Sequence, residues 1–333
     1  MQPIIKTTRR RVLGGIAAMT LPWCGTLPVM AATPSTWPAR PVRVVVNFPP
    51  GSSPDVVARA ITVPLSQALG QPLVIDNKSG AGGSLGADVA AKAAPDGYTL
   101  LVSSGSAISI NPHVYKKLPY DPEKDLIPVA SAARIELFLV AREGAPFNTF
   151  QELVAYAQAQ PGKLTYGSPG NGTAPHIAGE MLKEQARINL LHVPYRGAAN
   201  VLQDVLAGQI DLFFDPGIAI SHIQSKKLKL IAVGSLKRSS LFAQTPTLDE
   251  LGLKGFDAGT SHAFYLPSGT PPNVVQRLNL EINRIVQMPA VASQIHALGA
   301  EVQVLSPEQL RTQVRQDHQR FGEVVKRQRI RAE

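Results

Sequence analysis

The sequence predicts an α/β protein of two lobes, each built on a mainly parallel sheet flanked by helices. Three observations lead to this fold class. The chain has 333 residues, which is more than one small core needs and favours two domains. Short runs rich in Val, Ile and Leu alternate with stretches of helical apolar spacing, as in βαβ units. This alternation starts afresh after residue 135, which indicates a second unit and a cleft between the two.

The first unit is predicted to contain three strands separated by two long helices. We expect the strands at residues 42–46, 73–76 and 99–103, and the helices at residues 54–69 and 85–93. Parallel strands that are joined by helices need right-handed crossovers, which place helices on both faces of the sheet.

The second unit repeats this pattern and leads into a helical C-terminal region. Strands are expected at residues 137–141, 190–194, 210–214 and 228–233, and helices at residues 149–160, 172–185 and around 201–206. The last three predicted helices are residues 271–287, 289–298 and 307–329. Each begins with a proline, which suits the first helical turn.

Composition excludes several classes of protein. Hydrophobic residues make up 44% of the chain and charged residues 17%, so a core can form and disorder is not expected. The net charge of +9 invites a nucleic-acid partner, but four of the basic residues lie within the first eleven positions. Aromatic residues make up only 6%, which does not fit a stacking platform for single strands. We therefore expect no nucleic-acid partner.

The first 31 residues have the order of an export signal. Residues 1–11 are basic, residues 12–23 are apolar, and small residues precede a cleavage site near Ala31 or Ala32. Adjacent arginines before the apolar run also fit the twin-arginine route, so both Sec and twin-arginine export stay open. Cys24 is the one cysteine of the chain and lies in this segment. We expect an exported mature protein without a disulfide.

A glycine-containing turn connects the first predicted strand to the first helix. Pro54 fits the first helical turn and Ser53 is expected to cap the helix. The unpaired N–H groups at a helix start carry partial positive charge, which suits a carboxylate. Gly51 would let the backbone approach such a ligand closely.

A second turn of the same kind precedes the helix predicted at residues 172–185. Gly170, Asn171 and Gly172 permit a positive φ, so that successive N–H groups can converge on an anion. Ser168 and Thr173 add hydroxyl donors. The alternative for either turn is an ordinary tight turn with nothing bound.

Other motifs have a structural alternative that is at least as strong. The glycine-rich run at residues 80–86 is one residue too long for a dinucleotide fingerprint, which favours a turn with Ser84 as a helix cap. His176 beside the second turn, and Asp211 with Asp215, could be functional or structural. The histidines show no metal-ligand spacing, so we expect no metal and no cofactor.

Together these segments resemble the Bug family, the periplasmic solute receptors of tripartite tricarboxylate transporters. The matches run in order along nearly the whole mature chain: Phe48-Pro49-Pro50-Gly51, Gly80-Ala81-Gly82-Gly83, residues 95–101, residues 118–122, Gly170-Asn171-Gly172-Thr173 with His176, His192-Val193-Pro194-Tyr195, and residues 267–271. Ser52 and Pro54 depart from the usual family residues, and Ser261-His262-Ala263-Phe264 replaces a stretch that often carries Trp.

The resemblance implies a type II periplasmic-binding-protein fold that closes on its ligand. One lobe would comprise residues 38–135 and 258–333, and the other residues 136–257. The implied function is that of a monomeric, non-enzymatic receptor that delivers a small carboxylate to a membrane transporter. The candidate ligand-binding residues are Phe48, Pro49, Gly51, Ser52, Ser53, Asp55, Ser104, Ser168, Gly170, Asn171, Gly172, Thr173, His176, Tyr195, Arg196 and Asp215. Two alternatives stay open: a sensor that feeds a two-component system, and an enzyme that uses Asp215 or His176.

Overall fold

The structure, a computed structural model, describes residues 37–331. Its strands are β1 (Val42–Val46), β2 (Leu73–Asn77), β3 (Thr99–Ser103), β4 (Leu126–Ile135), β5 (Phe138–Arg142), β6 (Thr165–Ser168), β7 (Leu191–Pro194), β8 (Leu212–Asp215), β9 (Leu228–Val233), β10 (Thr260–Pro267) and β11 (Glu301–Val302). Its α-helices are α1 (Ser53–Leu69), α2 (Ser84–Ala91), α3 (Asn111–Val114), α4 (Phe150–Ala159), α5 (Ala174–Ala186), α6 (Ala198–Leu206), α7 (Ile220–Gln224), α8 (Pro272–Val286), α9 (Pro289–His296) and α10 (Pro307–Gln328). The predicted strands and long helices are therefore present, and β4, β6, β10 and β11 are additions.

The strands form two sheets, one in each lobe. The first sheet has six strands in the order β11-β4-β10-β3-β1-β2, and the second has five in the order β7-β6-β8-β5-β9. Helices pack against both sheets, so the expected two-lobed α/β architecture is confirmed. The bounds of the two lobes along the chain stay a prediction.

Most strands of each sheet run in one direction, as expected, and the exceptions are β10 and β11 in the first sheet and β5 in the second. In the first sheet β1 pairs in parallel with β2 and β3, whereas β10 runs antiparallel to β3 and β4. In the second sheet β6 is parallel to β7 and β8, but β5 is antiparallel to β8 and β9. Strands β5 and β10 each enter their sheet directly from the other lobe. The parallel strands of each sheet end toward the other lobe, whereas β5 and β10 begin there. Strands β5 and β10 therefore run in the opposite direction to the parallel strands of their own sheet.

The two faces of each sheet belong to different cores. Along β1, Val44 packs into one apolar cluster, and Val45, which points to the opposite face, packs into another. Along β5, Leu139 and Val140 are divided in the same way. This alternation is the period-2 geometry of a strand buried on both faces, and it explains why these strands read as unbroken apolar runs.

The chain crosses between the sheets at residues 136–137 and again just before β10. The crossovers are held side by side, because the N–H of Gly234 donates to the carbonyl of Leu137 at 2.7 Å and the N–H of Ala258 donates to that of Gly234 at 2.9 Å. Helix α10 packs on both lobes: Leu310 joins a first-lobe cluster and Phe321 a second-lobe cluster. The last helix therefore connects both lobes.

Two of the expected helix caps are wrong. The N-cap of α1 is Ser52 and that of α2 is Gly83, so neither Ser53 nor Ser84 is in the capping position. The hydroxyl of Ser84 instead accepts a hydrogen bond from Asn111 Nδ2 at 2.7 Å. The hydroxyl of Ser53 bonds to His262. In both cases the serine hydroxyl, which was expected to cap its own helix, forms a hydrogen bond with a residue distant in sequence.

The predicted export signal and its cleavage site lie outside the described residues. Within residues 37–331, no helix is both long and apolar enough to cross a membrane.

Candidate functional site

The two predicted anion-binding turns meet at one cavity between the lobes. Helix α1 begins there with Ser53 and Pro54, and helix α5 begins there with Ala174 and Pro175. The cavity has a volume of about 30 Å³. Its other lining residues are Phe48, Ser52, Ser104, Ser106, Ile135, Leu137, Pro169, Thr173, Ala198, Pro216, Thr260 and His262. Both turns follow the carboxyl end of a parallel strand, the edge where α/β sheets place their ligands.

The cavity wall presents hydroxyl groups and helix starts, and no Asp, Glu, Lys or Arg is among its lining residues. Each helix start carries about half a positive charge on its unpaired N–H groups. One of these groups, the N–H of Ala174, donates to Ser106 Oγ of the first lobe at 3.3 Å. The partial positive charge at this cavity is thus supplied by the main-chain N–H groups of two helix starts, one from each lobe.

The contacts of the first turn hold it in place. The buried carboxylate of Asp55 accepts hydrogen bonds from Arg59 Nε at 2.8 Å, Asn77 Nδ2 at 2.9 Å and the N–H of Gly51 at 2.9 Å. Burial raises the pKa of Asp55, but these hydrogen bonds outweigh it and the pKa lies below its ordinary value. The hydroxyl of Ser52 donates to the carbonyl of Pro49 at 2.6 Å. Asp55 and Gly51 support the cavity wall without being part of it.

Most polar groups of the second turn bond within the turn. Gly170 and Gly172 have the expected positive φ, 137° and 76°, whereas Asn171 does not. The N–H of Gly170 donates to Ser168 Oγ at 3.3 Å, and Thr173 Oγ1 donates to the carbonyl of Gly170 at 2.7 Å. The loop thus has the expected positive φ at two of the three positions, and the N–H of Gly170 and the hydroxyl of Thr173 are already engaged within the turn. Of this turn, Pro169 and Thr173 line the cavity.

His176 belongs to a buried aromatic stack beneath the second turn. Its ring lies 4.1 Å from that of His192, which in turn lies 4.8 Å from Tyr166. His176 Nδ1 accepts from the N–H of Gly172 at 3.2 Å, and His192 Nε2 lies 2.7 Å from Ser168 Oγ. Burial lowers the pKa of His176 to about 4 and that of His192 to about 3. Both rings are neutral supports of the turn and lie outside the cavity wall.

A second, open groove of about 540 Å³ lies between the same two lobes. Phe48 and Pro169 line both spaces, and the groove also contains the turn at residues 80–83, with Pro49, Gly170, Asn171, Tyr195 and Arg196. The glycine-rich turn, for which a structural role was favoured over a dinucleotide fingerprint, forms one wall of this groove. Arg196 is exposed and forms no ion pair within the described residues.

The structure therefore divides the candidate residues into three groups. Phe48, Ser52, Ser53, Ser104 and Thr173 line the cavity; Pro49, Gly170, Asn171, Tyr195 and Arg196 line the groove; Gly51, Asp55, Ser168, Gly172, His176 and Asp215 line neither. Asp215 is fully buried and accepts N–H bonds from Gly217, Ile218 and Ala219, and burial raises its pKa to about 7.

Asp211 does not pair with Asp215. Its carboxylate accepts from Arg142 Nε at 2.8 Å and from the N–H of Thr165 at 2.9 Å. Both aspartates therefore have structural partners at the two ends of β8. Among residues 37–331, no group of three or more His, Cys, Asp or Glu side chains is placed to hold a metal ion.

The sequence reasoning missed His262 as a site residue. It lies in β10, is 2% exposed, and its Nε2 is 2.9 Å from Ser53 Oγ. Ser106 and Thr260 were also missed. The one available signal was that residues 261–264 depart from a stretch that often carries Trp in the family. That departure did not indicate which residue His262 contacts.

Curated relatives match this chain over most of its length. It is 36% identical over 327 residues to a UPF0065 protein from Pseudomonas sp. strain P51, covering 97% of this chain and 96% of the relative. It is 36% identical over 296 residues to Protein BugT from Bordetella pertussis, covering 87% of this chain and 90% of BugT.

Solved structures with this fold include two that hold carboxylates. Rpa4515 of R. palustris with adipate matches with a TM-score of 0.84 at 30% identity, over 88% of this chain and 98% of that one. MatC from Rhodopseudomonas palustris with bound malate matches with a TM-score of 0.82 at 32% identity, over 87% and 100%. The family model for the tripartite tricarboxylate transporter family receptor, TctC, matches residues 57–330. This chain therefore belongs to the TctC receptor family, and its similarity to BugT confirms the resemblance to the Bug proteins.

Proposed function

We propose that this protein is a periplasmic receptor for a small carboxylate, which it delivers to a tripartite tricarboxylate transporter. The carboxylate group would lie at the cavity between the starts of α1 and α5, and the rest of the ligand in the adjoining groove. The observation that carries the proposal is that two helix N-termini, one from each lobe, begin at the same cavity. Helix N-termini favour anions. A carboxylate has two oxygens and can accept donors from both lobes at once.

The ligands of related structures support this choice of ligand class. Rpa4515 is described with adipate and MatC with malate. Both ligands are small carboxylates, which suit a cavity that has helix starts and hydroxyl groups and no charged side chain in its wall.

Cleft closure would couple binding to delivery. The lobes already touch around the cavity: the N–H of Ala174 reaches Ser106, and the hydroxyl of Tyr115 donates to the carbonyl of Asn171 at 3.5 Å. A ligand that contacts both lobes favours the closed state by its differential affinity. The transporter would then recognise the closed form.

The contacts of His176 and Asp215 disfavour the enzyme alternative. A catalytic group must be within hydrogen-bond reach of the substrate. His176 bonds to its own turn and Asp215 to three N–H groups of the following loop, and neither lines the cavity. We therefore propose a receptor without catalytic activity or cofactor.

The test begins with mature protein that has been unfolded and refolded to remove any ligand carried over from the host. A thermal-shift screen of carboxylates, followed by calorimetry on the hits, should give a binder whose amide derivative binds poorly. A screen without a single carboxylate binder would overturn the proposed function. Uptake of that binder should be lost on deleting either this gene or the large transporter subunit, whereas a sensor would leave uptake intact and abolish only a transcriptional response.

A further inference from the structure

Glu136 lies buried at the point where the chain first crosses from one lobe to the other. The residue is 7% exposed and directly follows β4, two positions before β5 begins. Its Oε2 atom is shielded from solvent and has no hydrogen-bond partner among residues 37–331. A buried carboxylate without partners is strongly disfavoured, whereas the protonated acid carries no charge and can donate a hydrogen bond. The buried position therefore favours the acid form of Glu136.

The neighbours of Glu136 come from both lobes. Glu301 of β11 belongs to the first sheet, and Ser239 lies in the loop that follows β9 of the second sheet. These two segments touch, because the hydroxyl of Ser240 donates to Glu301 Oε1 at 3.3 Å. The hydroxyl of Ser239 is buried and has no partner in the described part of the chain. Since the two segments are attached to different sheets, a rotation of one lobe against the other moves the groups that enclose Glu136.

The charges around Glu136 favour its neutral form while the lobes are in contact. Charged groups of three other elements face it: Glu301 on β11, Arg134 on β4 and Asp257 at the second crossover. Arg134 is already paired with Asp257 at 3.0 Å, so it offsets the two neighbouring carboxylates only in part. Burial, and then the charge of Glu301, raise the pKa of Glu136 to about 7. In contact with water the same group would ionise near its ordinary pKa of 4.5.

We propose that Glu136 couples closure of the lobes to the uptake of one proton from solvent, so that the affinity for a carboxylate falls as the pH rises. In the closed protein the buried acid is neutral, and its proton is available to the unpaired hydroxyl of Ser239. Opening lets water reach the carboxyl group, which then releases the proton. This inference rests on the proposed function, because a bound carboxylate is what favours closure.

The sign of the effect follows from linkage. Between about pH 4.5 and 7 the open state is ionised at Glu136 and the closed state is not, so closure binds a proton there. The affinity is therefore highest below this range, falls through it, and is lowest above it. Because the fall extends to the pKa of the closed state, most of the last tenfold change lies between pH 6 and 8.

The test is calorimetry between pH 6 and 8 on refolded mature protein and on Glu136→Gln, with the tightest carboxylate binder of the screen as the probe. Glutamine has the shape of the protonated acid and does not titrate. The wild-type affinity should fall about tenfold over this range relative to that of Glu136→Gln. At pH 6, titrations in two buffers of different ionisation enthalpy should show that the wild type takes up about one proton more per bound carboxylate than the variant does. Contributions of the histidines and of the probe itself are common to both proteins and cancel in this comparison.

Glu143→Gln is the matched control, since Glu143 is an exposed glutamate just after β5, and it should keep the pH dependence of the wild type. If Glu136→Gln does not fold, Glu301→Gln replaces it: without the neighbouring charge, the fall in affinity should move to lower pH. The same pH dependence in wild type and Glu136→Gln, or an unmoved fall in Glu301→Gln, overturns this inference alone. Absence of binding by any carboxylate overturns the proposed function and this inference together.

Discussion

Arg134 and Asp257 form a two-point ion pair that joins the two crossovers between the lobes. Arg134 Nη2 lies 3.0 and 3.3 Å from the two carboxylate oxygens of Asp257. Arg134 is near the end of β4, where the chain leaves the first lobe, and Asp257 lies just before β10, where it returns. Arg320 on α10 donates to the backbone carbonyls of Asp257 and Gly259 and pairs with Asp317 at 2.8 Å. The last helix thus fastens the segments about which the lobes would move.

We predict that Asp257→Asn lowers the free energy of unfolding by about 1–3 kcal/mol, because it leaves two arginines without part of their partly buried network. Both Arg134 and Asp257 are less than a quarter exposed, at 22% and 24%. Urea denaturation measures the change. Glu281→Gln removes an exposed pair with Arg284 and should change stability by no more than about 0.5 kcal/mol. An equal loss in both variants would contradict the prediction.

We predict that Gly172→Val weakens ligand binding about tenfold or more by preventing closure. A Cβ at this position would lie 2.5 Å from Asn111 Oδ1 of the first lobe, and the φ of 76° disfavours a β-branched residue. Gly51→Ala is the control, since φ is 77° there but a Cβ would meet nothing within 4 Å. Calorimetry measures the affinity, and small-angle scattering the closure. Wild-type affinity in Gly172→Val would show that the close approach of the lobes is not needed for binding.

We predict that Glu136, in the first crossover, lowers stability as the pH rises. Burial, and then the charge of Glu301, raise its pKa from 4.5 to about 7, with Arg134, Asp257 and Ser239 as its other neighbours. Between about pH 4.5 and 7 the folded state binds the proton and the unfolded state does not, so stability is full below this window and falls through it. Glu136→Gln should remove this fall. The measurement is the difference between variant and wild type in urea titrations across the window, because the buried histidines have the opposite dependence.

We predict that Arg196→Ala reduces ligand affinity only a fewfold, and that the loss disappears at high salt. Arg196 lies in the outer groove, exposed and without an ion pair in the described part of the chain. A rim charge attracts an anion through solvent and is screened by salt. Calorimetry at low and high ionic strength distinguishes this from direct contact. A collapse of binding at both salt concentrations would mean that Arg196 itself holds the carboxylate.

We predict that the mature protein begins near Ala32 or Thr33. This follows from the basic first eleven residues, the short apolar run and the small residues before Ala31. N-terminal sequencing of protein from the native host checks it, and an intact Met1 on cytoplasmic protein would contradict it. Replacing Arg9 and Arg10 by Lys separates the routes, because only twin-arginine export should fail.

What the sequence predicted well are the units in which a strand and the next helix are neighbours along the chain. Residues 42–69 contain an apolar run, a glycine-containing turn and a proline at the helix start, and residues 169–186 contain the same kind of turn and proline; all of these signals are local. Strand β10 was not predicted: its run of Thr, Ser, His and Ala has weak strand periodicity, and it is held by β3 and β4. Strand β5 was predicted, but its antiparallel direction was not, because the direction depends on pairing with β8 and β9, which are distant in sequence.

The inner wall of the site was only partly predictable. The two turns could be found because their residue types fit a helix start. His262 could not, because its partner Ser53 is 209 residues away in sequence. The same distance explains why Ser53 was wrongly predicted as the N-cap of α1. Its hydroxyl bonds to His262, and a rule that considers only neighbouring residues cannot include that contact.

The paired helix starts have a consequence for how such receptors diverge. The positive charge of the cavity is carried by main-chain N–H groups, which a point substitution does not remove. Side chains around it, such as those of Ser52, Ser53, Thr260 and His262, can therefore be exchanged while the carboxylate is still recognised. Receptors that descend from one ancestral gene could thus bind different carboxylates after a few substitutions in the cavity wall. Protein design could change the ligand specificity in the same way and keep the main-chain N–H groups that bind the carboxylate.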